Sequence, residues 1–275
     1  MALNSFKAIG HAMEKMGVIV TSTVTGAGAT LLQTASGATQ AGGNFVSRTF
    51  HLAVKEAEEE FNAVKYQIQR VSDSEEEAIL TLLAGKKVQE YADIVQSLVV
   101  AWPRVLLSLG TEVEVLRHVA SQKSMEPQAA TAMKRIATAP EFSEVLSKAA
   151  EKSIVSFAVE FGDSVAAVAS VDGALGFVTE LRNIANVKRY GSVGLSLGAS
   201  AGGSGDVALG LYTTTPQNCA GPFVAVTLEG AVGIGSGIVV SFGFPDLSFG
   251  GFAIPVSVGE KVCISMGGGY TFMLG

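Results

Sequence analysis

Few residues in this chain have the type and spacing that could do chemistry. The histidines His11, His51 and His118 stand apart, with no cysteine or second histidine at ligand spacing. A metal centre would have to be gathered from remote segments, so no metal site is expected. Two carboxylate pairs, Glu160 with Asp163 and Asp172 with Glu180, have spacings from which an acid and a base could be recruited. On helices those pairs are separated by surface and look like ordinary solvent-facing charges. The run Glu56, Glu58, Glu59 and Glu60 fans around a helix without a His or Asp partner and reads as a solvated face. The glycine strings over 191–203 and 230–237 lack the lysine of a phosphate loop and the helix such a loop opens onto. They shape a sheet surface. No catalytic constellation and no cofactor are expected, and an enzyme is disfavoured.

The elements that carry these residues change character along the chain. Of the 44 charged side chains only Asp206, Glu229, Asp246, Glu260 and Lys261 lie from Tyr190 onward, while those 86 residues hold 20 of the 32 glycines. The expectation is two parts: residues 1–189 as a multi-helix bundle, and residues 190–275 as a glycine-rich antiparallel β-sheet or small barrel. The class is α+β by segregation. Net charge of -6 and a pI near 5.2 argue against a nucleic-acid partner, which requires clustered Lys and Arg. Mean hydropathy of +0.39 is high, yet no apolar run long enough for an ordinary transmembrane helix is present. His11, Glu14 and Lys15 fall where a signal peptide needs an apolar core. Synthesis in the cytoplasm is expected, with release and membrane association by another route. Cys219 and Cys263 fit two free thiols or one bridge from the 217–222 loop to a late strand, and the sequence leaves both open.

In the first part, residues 16–47 carry no charge and place Val18, Ile19, Val20, Leu31 and Leu32 among Gly, Ala, Thr and Ser. Such a stretch reads either as a buried core helix with loose ends or as a labile segment able to enter a bilayer after a trigger. Residues 48–71 follow as an amphipathic helix with Val54, Ala57, Phe61, Val64, Ile68 and Val71 on one face. Ser72-Asp73-Ser74 caps the next helix, expected to run to about Val100 and to break at Trp102-Pro103. Helices are then expected over 105–122, from Pro127, and from Pro140 onward. Val145, Ala149, Ile154, Phe157, Val159 and Phe161 form a long apolar face there, and helical character continues over 165–187.

From Tyr190 the pattern becomes alternation. Val193, Leu195 and Leu197, then Val207, Leu209 and Leu211, then Phe252, Ile254 and Val256 stand every second residue, giving six strands joined by short turns. The stretch 223–246 is the clearest of them. One parity carries Val226, Leu228, Ile234, Ile238, Val240, Phe242 and Phe244, the other is small and smooth, and Gly233, Gly235 and Gly237 can fold it into a hairpin. Its two halves, near ten residues each, are long enough to cross a bilayer in a closed barrel. The leading expectation is a membrane-interacting protein of pore-forming or toxin type, soluble as made and oligomerising on lipid. Its partners would be a lipid membrane and further copies of itself. The segments 18–20, 31–32 and 226–244 are the insertion candidates. A structural or self-assembly protein using the smooth β face, and a carrier of an apolar small ligand, are the alternatives.

Overall fold

Apolar residues at helical spacing become five helices in the computed structural model, which describes residues 74–120, 127–165, 169–200 and 203–274. The expected amphipathic helix over 48–71, the uncharged stretch 16–47 and the acidic run at 56–60 lie outside those residues. Helix α1 spans Ser74–Glu90 and buries Leu80, Ala84 and Val88, one row at spacing four. Helix α2, Ala92–Ser108, buries Ile94, Val95, Leu98, Trp102, Val105 and Leu106. Helix α3 spans Gly110–Ala120, α4 Pro127–Ala137 and α5 Pro140–Glu151. The two prolines open their helices as expected, because a first-turn residue has no use for the N–H that proline lacks.

The break expected at Trp102-Pro103 is absent. Helix α2 runs through Pro103, and the chain instead bends by 86° between α2 and α3. Proline inside a helix costs about 3 kcal/mol. Trp102 offsets it: the side chain is fully buried, and its Nε1 donates to the Val207 carbonyl at 3.2 Å. The single helix expected from 74 to 100 is likewise divided at Tyr91. That residue is a joint. Its hydroxyl donates to the Lys152 carbonyl at 3.2 Å, and its ring lies 5.2 Å from Phe249 and 5.9 Å from Phe252. Lys152, just past α5, donates to the Asp93 carboxylate at 2.6 Å and the Glu90 carbonyl at 3.1 Å. The hydrogen bond from Lys152 holds the Asp93 carboxyl below the usual carboxylate range.

The helical reading of residues 154–187 is corrected. Strand β1 is Ser156–Val165, β2 Ala169–Glu180, β3 Asn183–Ser200, β4 Gly203–Tyr212, β5 Gly221–Gly243 and β6 Phe249–Leu274. The change from helix to strand therefore falls between Glu151 and Ser156, and the boundary expected at 189/190 lies inside β3. Phe157, Val159 and Phe161 alternate with Ala158, Glu160 and Gly162. The apolar set that looked helical was a period of two, reinforced by Ile154 and Val145 from the preceding chain.

All pairings are antiparallel. β1 pairs with β2 and with β4, and β2 with β3, so β3 and β4 run in opposite directions at the flanks of the β1–β2 pair. β6 is antiparallel to both flanks, through Gly251–Ser257 with β4 and Cys263–Leu274 with β3. It must reverse between Ser257 and Cys263, and β5, paired alongside from Gly221 to Phe242, reverses with it near Gly233. The long element expected to fold as a hairpin about Gly233 and Gly235 thus turns there, paired with the reversing β6. Counting both halves of β5 and β6, eight staves make a closed barrel, and its four strand reversals at 165–169, 200–203, near 233 and near 260 share one end.

One parity of this sheet joins the helices in a single core. It comprises Phe157, Val159 and Phe161 of β1, Leu175 and Phe177 of β2, Val187 of β3, Leu209 and Leu211 of β4, Val226, Ile238, Val240 and Phe242 of β5, and Phe252, Ile254 and Val256 of β6. The interior of an eight-stranded barrel is only wide enough for side chains. Five helices cannot be inside it, so the helix-covered parity is the outer wall. The opposite parity, with Ala158, Gly176, Ser192, Gly210, Thr227, Ser241, Ala253, Ser265 and Gly269, faces inward. It is mostly small or hydroxylic. The seam between β4 and β6 depends on Gly251, at φ +151°, where a Cβ would run into the Leu211 carbonyl and Tyr212. Gly251→Ala should destabilise the protein by about 2 kcal/mol or more. Urea unfolding of the variant with unchanged stability would contradict the seam as described.

Candidate functional site in the barrel lumen

Strict alternation on β1 sends Asp163 to the outer face and Glu160 to the inner one. Neighbours of opposite parity cannot work as an acid and base pair. Asp172 and Glu180 stand at opposite ends of β2 and do not meet either. Glu160 is the residue that the solvent-facing reading of these carboxylates missed. Its carboxyl group is enclosed in the lumen beside Tyr212 of β4, whose hydroxyl donates to Oε1, and near Tyr190 of β3. Register sets up the encounter: Glu160 is opposite Gly176 on one side and Ala208 on the other, and Gly176 is in turn opposite Tyr190. The glycines make the space. A Cβ on Gly176 would stand 3.1 Å from the Tyr190 ring and 2.7 Å from the Val159 carbonyl oxygen, and one on Gly210 would stand 2.8 Å from Glu160 Oε1.

The connection from β4 to β5 closes this mouth of the barrel. A short 3-10 turn, Pro216–Asn218, leads to Cys219, which packs with Tyr212 and Met273 against Ala158, Val178 and Tyr190. The Ser156 hydroxyl donates to the Thr214 carbonyl at 2.8 Å and secures the same connection. Cys219 is a free thiol. Its Sγ donates to the Thr215 carbonyl at 3.3 Å, and burial pushes its pKa up, so it stays protonated and is a poor nucleophile.

Burial dominates the electrostatics. It raises the Glu160 pKa above the ordinary carboxylate value, and the phenol groups only partly counter it. It raises Tyr190 and Tyr212 well above an ordinary phenol, with the nearby Glu160 charge adding to the effect. The Tyr190 hydroxyl is buried against the same carboxyl group in poorer hydrogen-bond geometry than Tyr212, and its contribution is the smaller of the two. Chemically the group can hold and release a proton inside the barrel. Its two phenols and one carboxyl supply no activated nucleophile.

The remaining expected residues are dispersed. His118 is exposed in the last turn of α3, while His11 and His51 lie outside the described residues. Among the described residues no group of His, Cys, Asp and Glu could hold a metal ion. Val226, Ile238, Val240 and Phe242 are buried beneath the helices, and Phe244 packs partly buried against the same core. As insertion candidates they are covered in this form. Leu228 and Ile234 lie in β5 near its reversal, where the backbone alone is described, and Val18, Ile19, Val20, Leu31 and Leu32 lie outside the described residues. Gly198-Ala199-Ser200-Ala201-Gly202 has the Gly-x-Ser-x-Gly form, but Ser200 ends a strand and the next element is a strand, so it is no nucleophile elbow. The lumen cluster had a legible signal, a carboxylate on the small-residue parity of an alternating segment.

Comparison with protein-family models, with curated proteins and with solved structures finds no match.

Because the Glu160 pKa is raised on folding, its contribution to stability is full below the ordinary carboxylate value and is lost as pH rises through the raised one. Glu160→Gln should therefore melt like the wild type at pH 4 and about 2–4 °C higher at pH 8, the change that ~1 kcal/mol makes in a chain of this size. Equal shifts at both pH values would show that the carboxyl does not titrate in the native state. Tyr212→Phe strips Glu160 of its better-formed donor and should cost about 1–3 kcal/mol, whereas Tyr190→Phe removes a hydroxyl of poorer geometry and should cost less. Denaturant unfolding of the two variants compares them directly.

Proposed function

We propose that the chain is a membrane-interacting protein of pore-forming type, in which helices α1–α5 cover an apolar barrel wall until lipid takes their place. The observation that supports this reading is the polarity of the barrel. Its outer parity is mostly apolar, with Asp163 and Arg189 as exceptions, and its inner parity is mostly small or hydroxylic with Glu160 among it, an arrangement similar to that of a barrel that sits in hydrocarbon. A barrel that carried an apolar ligand in water would put its apolar face inward and its polar face outward. β1 and β4 are 10 residues long and β2 is 12, and about 9 to 11 residues suffice to cross a bilayer. A single eight-stave lumen is filled by its own side chains, here including Tyr190, Tyr212 and Glu160. Conduction would therefore require several copies, in keeping with a homo-oligomer assembled on lipid.

Trp102, the chain's one tryptophan, lies fully buried between α2 and the barrel wall and reports directly on this step. With phospholipid vesicles the protein should float with the lipid and release an entrapped dye. Trp102 emission should shift and become open to quenching by acrylamide or by brominated acyl chains. Emission indifferent to vesicles, with no flotation at any pH or lipid composition, would overturn the reading.

A further inference from the structure

We infer that the lumen beyond the cluster of Glu160, Tyr190 and Tyr212 is a binding pocket for a small organic ammonium ion, with the Glu160 carboxyl group at its floor. The pocket belongs to the barrel in its helix-covered form and does not depend on the membrane reading. A change of exposure along the inner parity marks it. On the mouth side of Glu160, Ala158 and its partners Val178 and Gly210 are buried, as is Ser156. At Glu160 and toward the strand reversals, Ala208, Gly162, Ala174, Ser192 and Thr227 keep accessible surface. The outer-parity residues at those levels, among them Val159, Phe161, Leu175, Val193, Leu209 and Val226, are buried. A position that lies inside the barrel wall and is still accessible borders a space. Glu160 shows both properties itself, since neighbours enclose its carboxyl group and the residue is nevertheless partly exposed.

Register explains the opening. Glu160 stands opposite Ala208, Gly162 opposite Ala174, and Ala174 opposite Ser192. An eight-stranded barrel is filled by side chains of ordinary size or holds one small ligand, and at these levels the side chains are among the smallest. A Cβ built on Gly162 would meet nothing closer than 3.6 Å.

Charge decides the class of occupant. The titratable groups against Glu160 are Tyr190, Tyr212 and Cys219, and none of them is a base. Burial therefore keeps a lone carboxyl protonated, and a cation would give its ionised form the partner it lacks. A carboxylate accepts at about four lone-pair sites. Tyr212 uses one and Tyr190 another in poorer geometry, so acceptor capacity remains for a donor in the space. Farther along, inner-parity positions belong to Asp206 opposite Gly162, Asp172 opposite Ser164 and Glu229 opposite Cys263, against the single base Lys261 opposite Ala231 among the described residues. An ammonium ion answers this setting with charge and with several N–H donors, and the hydroxyl-bearing Ser192 and Thr227 border the same space. A metal ion fits less well, because no group of His, Cys, Asp and Glu among the described residues could hold one.

The test uses the full chain on the alkaline side of neutrality, with methylammonium and butylammonium as probes and butanol as the neutral match, read by titration calorimetry. An ammonium probe should bind saturably at one site per chain, and butanol should not bind. Glu160→Gln should weaken binding about tenfold or more while melting no lower than the wild type. Ala174→Leu, which fills the space, should weaken it likewise, and Ala208→Val is the milder replacement where the leucine prevents folding. Asp163→Asn, on the outer parity, should bind like the wild type. Undiminished binding by Glu160→Gln, undiminished binding by the folded space-filling variant, equal binding of butanol, or no saturable heat with either ammonium would each overturn the pocket. Flotation with vesicles is a separate measurement, so failure here leaves the membrane reading standing.

Discussion

Closing a β-sheet into a ring decides which of its faces needs a cover, and in this chain the face turned outward is the apolar one. Phe157, Val159, Phe177, Leu209, Val240 and Ile254 would all stand in water if the barrel were bare. Each large aliphatic or aromatic side chain withdrawn from water is worth about 1.5–3 kcal/mol, so the wall cannot remain uncovered in an aqueous protein. The helices answer that need. Their inner rows and the outer parity of the strands form one core, which helices and barrel share.

Attachment of the cover is concentrated at a few points. Trp102 reaches from α2 to the backbone of β4. Tyr91, Lys152 and Asp93 gather the α1–α2 joint, the end of α5 and the start of β6 at one place. The Asp93–Lys152 pair is largely exposed, and ion pairs of that kind contribute little. Its value is positional, since it holds the Tyr91 ring against Phe249 and Phe252. The lumen is organised differently. There the glycines at 176 and 210 let two tyrosines close over a carboxyl group, and burial keeps that group's proton on at pH values where an exposed carboxylate would have lost it.

Much of this was visible in the chain before folding was considered. The alternation in 190–275, the reversal near Gly233 and the prolines that open α4 and α5 follow from period and backbone chemistry that a single sequence displays. Residues 156–187 were misread because two periods overlap there. Ile154, Phe157 and Phe161 satisfy a helical spacing, and Phe157, Val159 and Phe161 satisfy a strand. Pairing with β2 and with β4, which is 38 residues further along the chain at its nearest end, favours the second. The unbroken course of α2 through Pro103 was hidden for a similar reason, since Trp102 is anchored by a carbonyl 105 residues away. Glu160 followed the error in secondary structure: on a helix it faces water, and on a strand it faces the lumen.

The two-sided pairing of β6 has a consequence for how the protein comes into being. β6 joins β3 along one half and β4 along the other, so the ring has no closure until that strand exists. During synthesis β1 to β4 emerge first, as a four-stranded ribbon with two open edges and an apolar face. Open edges of this sort invite pairing with other chains, and long-range strand pairing is slow. The helices, made earlier still, are already present to lie on that face. Order along the chain therefore works as a built-in chaperone: the segment that shields the wall is translated before the wall, and the strand that removes its edges arrives after every other stave is in place.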